Sequence, residues 1–98
     1  EIGLIDEICP RYRSTYYAHI FSGGYSAGYY VYYWAAVLDS DAFNYFKESG
    51  DLFNPELAAK FRQHCLQECG NDEGMVQYKK FRGQEPSNEP FLKKHGLK

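Results

Sequence analysis

The stretch HIFSGGYSAGYYVYYW, from His19 to Trp34, restricts this chain more than any other segment. It holds five tyrosines, three glycines, a histidine and a tryptophan, and no charge interrupts the sequence from Ala18 to Leu38. A buried helix would favour Leu, Ile and Val, and a surface loop would favour small polar and charged residues. This segment does neither. On a helical wheel of about 100° per residue, Tyr29, Tyr32 and Ala36 share one face, with Tyr25 joining if the helix reaches back that far. Tyr30, Tyr33, Trp34, Val37 and Leu38 cover the other side. A helix without a charged face is expected to bury one side and to turn the other to a cleft or a partner.

Tyrosine on a cleft has a chemical use. A phenol with an ordinary pKa of about 10 stays protonated at neutral pH and is a neutral hydrogen-bond donor. Such a donor stabilises an oxyanion without first being desolvated as a cation. The Gly23-Gly24 pair marks a flexible loop that lets backbone approach a ligand or close over it. His19 at the loop entrance is placed to donate to a substrate carbonyl. Packing or a dimer surface would use the same rings, and a single histidine is more often structural than catalytic.

Around this segment the chain reads as all-α. Ile2, Ile5 and Ile8 suit a short helix ending before Pro10. A second helix is expected over Ser26 to Leu38. Ser40 or Asp41 is expected to cap a third that stops at Gly50. Asn54-Pro55 opens another, cap then proline, which runs with Leu57, Phe61 and Cys65 to Gly70. Asn71 or Asp72 opens one that carries Met75, Val76 and Tyr78 and closes at Gly83. Ser87 to Lys94 forms the last. No stretch shows strand alternation, no repeat is visible, and no linker divides the 98 residues, a length suited to one domain.

A net charge of −2 excludes a general nucleic-acid binder. The glycines and hydroxyls of the uncharged window make it a poor membrane span. Three cysteines disfavour a closed disulfide framework, and a reducing, cytoplasmic setting fits them. Cys65, Cys69 and His64 form at most half a metal site and read better as small apolar helix residues. The chain opens at Glu1 without a methionine, so an excerpt from a longer protein is expected.

The run YAHIFSGGYSAGYYVYYWAAVLDSDAF, from Tyr17 to Phe43, resembles the C-terminal catalytic segment of the thimet oligopeptidase and peptidyl-dipeptidase family of zinc metallopeptidases. GDLFNPELAAKFRQHCL and KKFRGQEPSNEPFLKKHGL continue the likeness in order and spacing, so it covers nearly the whole chain. The spacing from His19 to Tyr25 is more similar to bacterial peptidyl-dipeptidases and oligopeptidase A than to the animal thimet enzymes. Tyr33 departs from the usual pattern, on the far side of the proposed face. The resemblance implies that residues 1–98 are the C-terminal part of a larger helical zinc-peptidase catalytic domain acting on short peptides. It implies zinc held by the histidines of an HExxH motif and a later glutamate, activating a water for attack on a peptide carbonyl. By position, Tyr32 would donate to the oxyanion and His19 would support it. Tyr25 and Tyr29 would reach substrate, and the Gly23-Gly24 loop would flex over the peptide. No HExxH occurs here: His19, His64 and His95 are followed by IFS, CLQ and GLK. The chain is therefore expected to ligate no metal and to be inactive alone. Its expected partners are peptide substrate, the rest of its own catalytic domain and, through the tyrosine surface, other copies of itself. The alternative reading is a non-catalytic helical module that binds a partner protein through that surface.

Overall fold

The computed structural model describes residues 5–98, and among them no strand forms. The described chain is all-α. Helix α1 is Val31–Glu48, α2 is Pro55–Phe61, α3 is Gly74–Arg82 and α4 is Glu89–Lys94. Three single 3-10 turns, at Ser14–Tyr16, Ala18–Ile20 and Gly23–Tyr25, precede α1. The chain divides into two compact units, Glu1–Tyr32 and Tyr33–Lys98.

The helix expected on Ile2, Ile5 and Ile8 lies partly outside the described residues. From residue 5 onward there is a single turn, closed by the Ile8 N–H donating to the Ile5 carbonyl at 3.0 Å. Pro10 disfavours the helical conformation at the residue before it, so a helix cannot continue past this point.

The C-terminal unit is built around Phe81, which is 1% exposed. The rings of Tyr45, Phe61 and Tyr78 meet it edge-on at 5.4, 5.3 and 6.0 Å between centroids, and Phe46 lies tilted at 6.3 Å. Edge-to-face contacts of this kind add to the area that each ring buries. Beside Phe81 sits Asp41, equally buried at 1%. Its Oδ2 accepts from the Tyr78 hydroxyl at 2.6 Å and from Arg82 Nε at 3.3 Å, while its Oδ1 accepts from the Ser87 backbone N–H at 3.3 Å. Arg82 also donates to Glu48 at 2.9 Å and lies over the Tyr45 ring at 4.4 Å. Burial, followed by the bond to Asp41, raises the pKa of the Tyr78 phenol far above its ordinary value.

Ser40 and Asp41 cap nothing. Helix α1 runs through both: the Ser40 hydroxyl bonds back to the Ala36 carbonyl at 2.8 Å, and Asp41 turns inward to α3. Asn54 does cap α2, its Oδ1 accepting from the N–H groups of Glu56 and Leu57 at 3.0 and 3.1 Å. The helical path then continues through one π-turn, Arg62–Gln67. There His64 Nδ1 lies 3.2 Å from Glu68, and burial raises the pKa of the Cys65 thiol. Asp72 does not cap α3; it pairs with Lys80 at 2.7 Å, and α3 begins after Glu73 with no side-chain cap. Gly83 closes α3 in the left-handed conformation, φ 82°, its N–H donating to the Lys79 carbonyl at 2.8 Å. Helix α4 starts at Glu89, two residues later than expected, and its first N–H donates to the Ser87 hydroxyl at 3.2 Å.

Removing Asp41 would strip Tyr78 and the nearly buried Arg82 of a charged partner. Asp41→Ala is expected to destabilise the chain by about 3–5 kcal/mol. Tyr78→Phe leaves two donors on the carboxylate and should cost about 1.5–3 kcal/mol. Urea unfolding followed by far-UV circular dichroism measures both. Equal, small losses would show that the carboxylate does not hold these elements together.

Candidate functional site

The N-terminal unit gathers the sequence-predicted residues into one cluster. Among its described residues only the end is α-helical. The expected helix over Ser26 to Leu38 begins instead at Val31, because Ala27 adopts φ 55°, a left-handed conformation that a helix cannot pass through. A non-glycine residue there costs roughly 1–2 kcal/mol. The Ala27 N–H donates to the Ile20 carbonyl at 3.3 Å, which closes the segment on itself. The Gly28 N–H then reaches the Tyr25 carbonyl at 2.9 Å, and the Val31 N–H the Gly28 carbonyl at 3.1 Å.

His19 sits in the 3-10 turn Ala18–Ile20. That turn is tied by the Phe21 N–H, the Ser22 N–H and the Ser22 hydroxyl, all donating to the Ala18 carbonyl at 2.9–3.0 Å. Gly23 and Gly24 open the next turn, Gly23–Tyr25, rather than an open loop. The Ser26 N–H and hydroxyl both donate to the Gly23 carbonyl, at 3.3 and 3.1 Å. Gly23 alone has a left-handed φ, 69°; Gly24 does not, and a side chain on it would meet nothing within 4 Å.

This folding brings together what the helical wheel placed on one face, by a different route. The Tyr25 and Tyr32 hydroxyl oxygens are 2.7 Å apart and share one hydrogen bond. Tyr29 is half-buried between them and the histidine. Its ring centroid is 5.3 Å from Tyr25, 5.2 Å from Tyr32 and 5.1 Å from His19. The bond with Tyr25, then the charge that Tyr25 would carry if ionised, raises the pKa of Tyr32. Both phenols of the pair face solvent, at 42% and 54% exposure, so the cluster is open to a ligand.

The expectation of one buried side fails at this end of the segment. Tyr30, Tyr33 and Trp34 are exposed as well, at 71%, 72% and 47%. Burial along α1 begins only with the half-buried Ala36, Val37 and Leu38. The wheel also missed Tyr17. Its ring meets Tyr29 edge-on at 5.5 Å and lies 5.6 Å from His19, with Tyr12 stacked on it at 4.7 Å and 7°. Both lie upstream of the glycine pair, where no regular periodicity links them to Tyr29; the only signal was the crowding of tyrosines from residue 12 onward.

Among the described residues no group of three or more His, Cys, Asp or Glu side chains could hold a metal ion. What the cluster offers is neutral phenol donors and one imidazole.

These features define a helical chain that presents polarised hydroxyls on an exposed aromatic face. The sequence profile of peptidase family M3 matches residues 1–97. The chain belongs to peptidase family M3. Oligopeptidase A of Escherichia coli (strain K12) is 46% identical over 82 residues, covering 84% of this chain and 12% of that protein. Dipeptidyl carboxypeptidase of the same organism is 45% identical over 91 residues, covering 92% and 13%. The probable cytosolic oligopeptidase A of Arabidopsis thaliana is 44% identical over 84 residues, covering 83% and 12%. The chain thus spans about an eighth of the length of these relatives.

The two glycines should separate under mutation. Gly23→Ala forces an L side chain into a left-handed turn and is expected to cost about 1–2 kcal/mol. In the full-length protein it should alter kcat and KM together, since it moves the turn that carries Tyr25. Gly24→Ala has room and ordinary backbone, and should change melting temperature and kinetics little. Matched effects from the two would place the constraint in flexibility rather than in handedness.

Proposed function

We propose that this chain is the substrate-facing and oxyanion-stabilising C-terminal part of the catalytic domain of a peptide-hydrolysing enzyme. Tyr32 and His19 act on the reacting carbonyl, Tyr25 and Tyr29 contact the peptide, and the turn at Gly23 and Gly24 lies over it. The observation that carries this reading is the 2.7 Å contact between the hydroxyls of Tyr25 and Tyr32. Two hydroxyls sharing one bond leave one proton free. When Tyr25 donates to the oxygen of Tyr32, the Tyr32 O–H is polarised and available to a ligand. As water attacks a peptide carbonyl, negative charge grows on the carbonyl oxygen, and a preplaced neutral donor favours that state over the ground state. Membership of a peptidase family supports this task for the phenols over a purely adhesive surface.

The zinc expected in the full-length enzyme finds no ligand set among the described residues, so no step through it is derived for this chain. An open apolar groove of about 490 Å3 in the C-terminal unit, lined by residues including Leu38, Phe43, Phe46 and Phe61, supports contact with the remainder of the catalytic domain. A relative named as cytosolic supports the cytoplasmic placement. No helix of the described residues is long and apolar enough to cross a membrane.

In the full-length enzyme, Tyr32→Phe removes one hydroxyl and little volume. Its kcat on a short fluorogenic peptide should fall by roughly 10²–10³, about 3–4 kcal/mol, with a much smaller change in KM. Tyr30→Phe should leave kcat near the wild-type value. Equal and small effects for the two would mean that the phenol face is packing.

The isolated 98-residue chain should neither hold zinc tightly nor cleave peptides, and should self-associate through its exposed tyrosines. Metal analysis, peptide hydrolysis and sedimentation check this together. Stoichiometric zinc with hydrolysis, or a strict monomer, would contradict the corresponding part.

A further inference from the structure

We propose that Tyr17 is a positioning residue: its ring fixes the orientation of His19 and Tyr29, with Tyr12 as its backing. The inference rests on the phenol-donor reading above and deepens it. Three ring contacts carry it. Tyr17 meets the face or edge of Tyr29 at 85° and 5.5 Å, and it lies 5.6 Å from the His19 imidazole. On its other side Tyr12 stacks almost parallel, 7° at 4.7 Å, and Arg11 lies 5.3 Å from the Tyr12 centroid.

His19 is exposed, and its own 3-10 turn constrains only the backbone. Its imidazole contacts two rings, Tyr29 at 5.1 Å and Tyr17 at 5.6 Å. The Tyr29 ring is in turn in contact with the rings of Tyr25, Tyr32, Tyr17 and His19. Removing the Tyr17 ring therefore takes one ring contact from both residues at once. An edge-to-face contact has a preferred geometry, so it restrains orientation as well as adding contact energy. A donor displaced by about 1 Å from its productive position can cost about a hundredfold in rate.

The test uses the full-length enzyme with Tyr17→Leu, Tyr17→Phe and Tyr32→Phe, measuring kcat and KM per folded enzyme. Tyr17→Leu keeps bulk but loses the aromatic edge, and kcat is expected to fall roughly ten- to a hundredfold with KM within about threefold. Tyr17→Phe should recover most of that loss, because the ring does the positioning. An unchanged kcat for Tyr17→Leu would overturn the proposal. So would a Tyr17→Phe variant as impaired as the leucine variant, which would move the effect to the hydroxyl. A loss that vanishes on correction for folded enzyme would reduce Tyr17 to a structural residue and overturn it too. If Tyr17→Leu does not fold, Tyr12→Leu removes the stacked backing instead: a smaller fall in kcat at constant KM supports the proposal, and an unchanged kcat overturns it. Tyr32→Phe separates the two levels. A fully active Tyr32→Phe variant defeats the donor reading itself, whereas an impaired Tyr32→Phe beside a normal Tyr17→Leu defeats only the positioning.

Discussion

A carboxylate withdrawn from water has to be answered by donors, and the C-terminal unit is arranged around that requirement at Asp41. One oxygen takes the Tyr78 hydroxyl and Arg82 Nε, and the other takes the Ser87 backbone N–H. Those three donors come from α3 and from the connection that follows it, while the acceptor comes from α1. The bond from Tyr78 is short and charge-assisted, the stronger kind of hydrogen bond. Phe81, three residues after Tyr78 on the next turn of α3, carries the apolar packing at the same place. Polar and apolar contacts thus lock the same two helices, and the polar part fixes register more sharply because a slip of one residue would strand the charge.

That role also shows where a sequence alone misleads. Ser40-Asp41 follows an apolar run, and both residue types are good caps, so a helix start is the natural reading. Cap and buried anchor use the same chemistry, a short side chain with a free acceptor; only the partner differs. The partners at Tyr78 and Arg82 lie 37 and 41 residues away, beyond any local pattern. Asn54-Pro55 and Gly83 were legible because their signals are local: a cap that bonds amides two and three residues on, and a left-handed stop one residue past the helix. Asp72 failed as a cap for a reason like that of Asp41, since Lys80 claims its carboxylate.

The candidate site shows the opposite case, a correct grouping reached through an incorrect element. Tyr25, Tyr29 and Tyr32 do converge with His19, yet Tyr25 lies in a 3-10 turn and Tyr29 precedes α1. A 3-10 turn steps about 120° per residue against about 100° in an α-helix, close enough for residues three and four apart still to meet. Ala27 interrupts the helical hydrogen bonds without dispersing the side chains. The family resemblance implied roles by motif position and was indifferent to the helix boundary. Tyr17 opens the resembling run and Tyr12 precedes it, but neither was given a role there, and their contacts with the cluster were the part that only the fold could reveal.

Under the proposed donor role, the pairing of Tyr25 with Tyr32 gives a reason for phenols rather than stronger donors on this face. A lysine or arginine at either position would bring a charge that water solvates well and that binding would have to strip. A phenol brings no such charge, and the bond to Tyr25 disfavours ionisation of Tyr32, which is what its raised pKa expresses. The rings of Tyr29, Tyr17 and His19 pack around the pair by edge and tilted contacts. An exposed apolar cluster is poor for an isolated chain and suitable for a surface completed by substrate. The same exposure that weakens this segment as a core therefore makes it serviceable as a wall of a site.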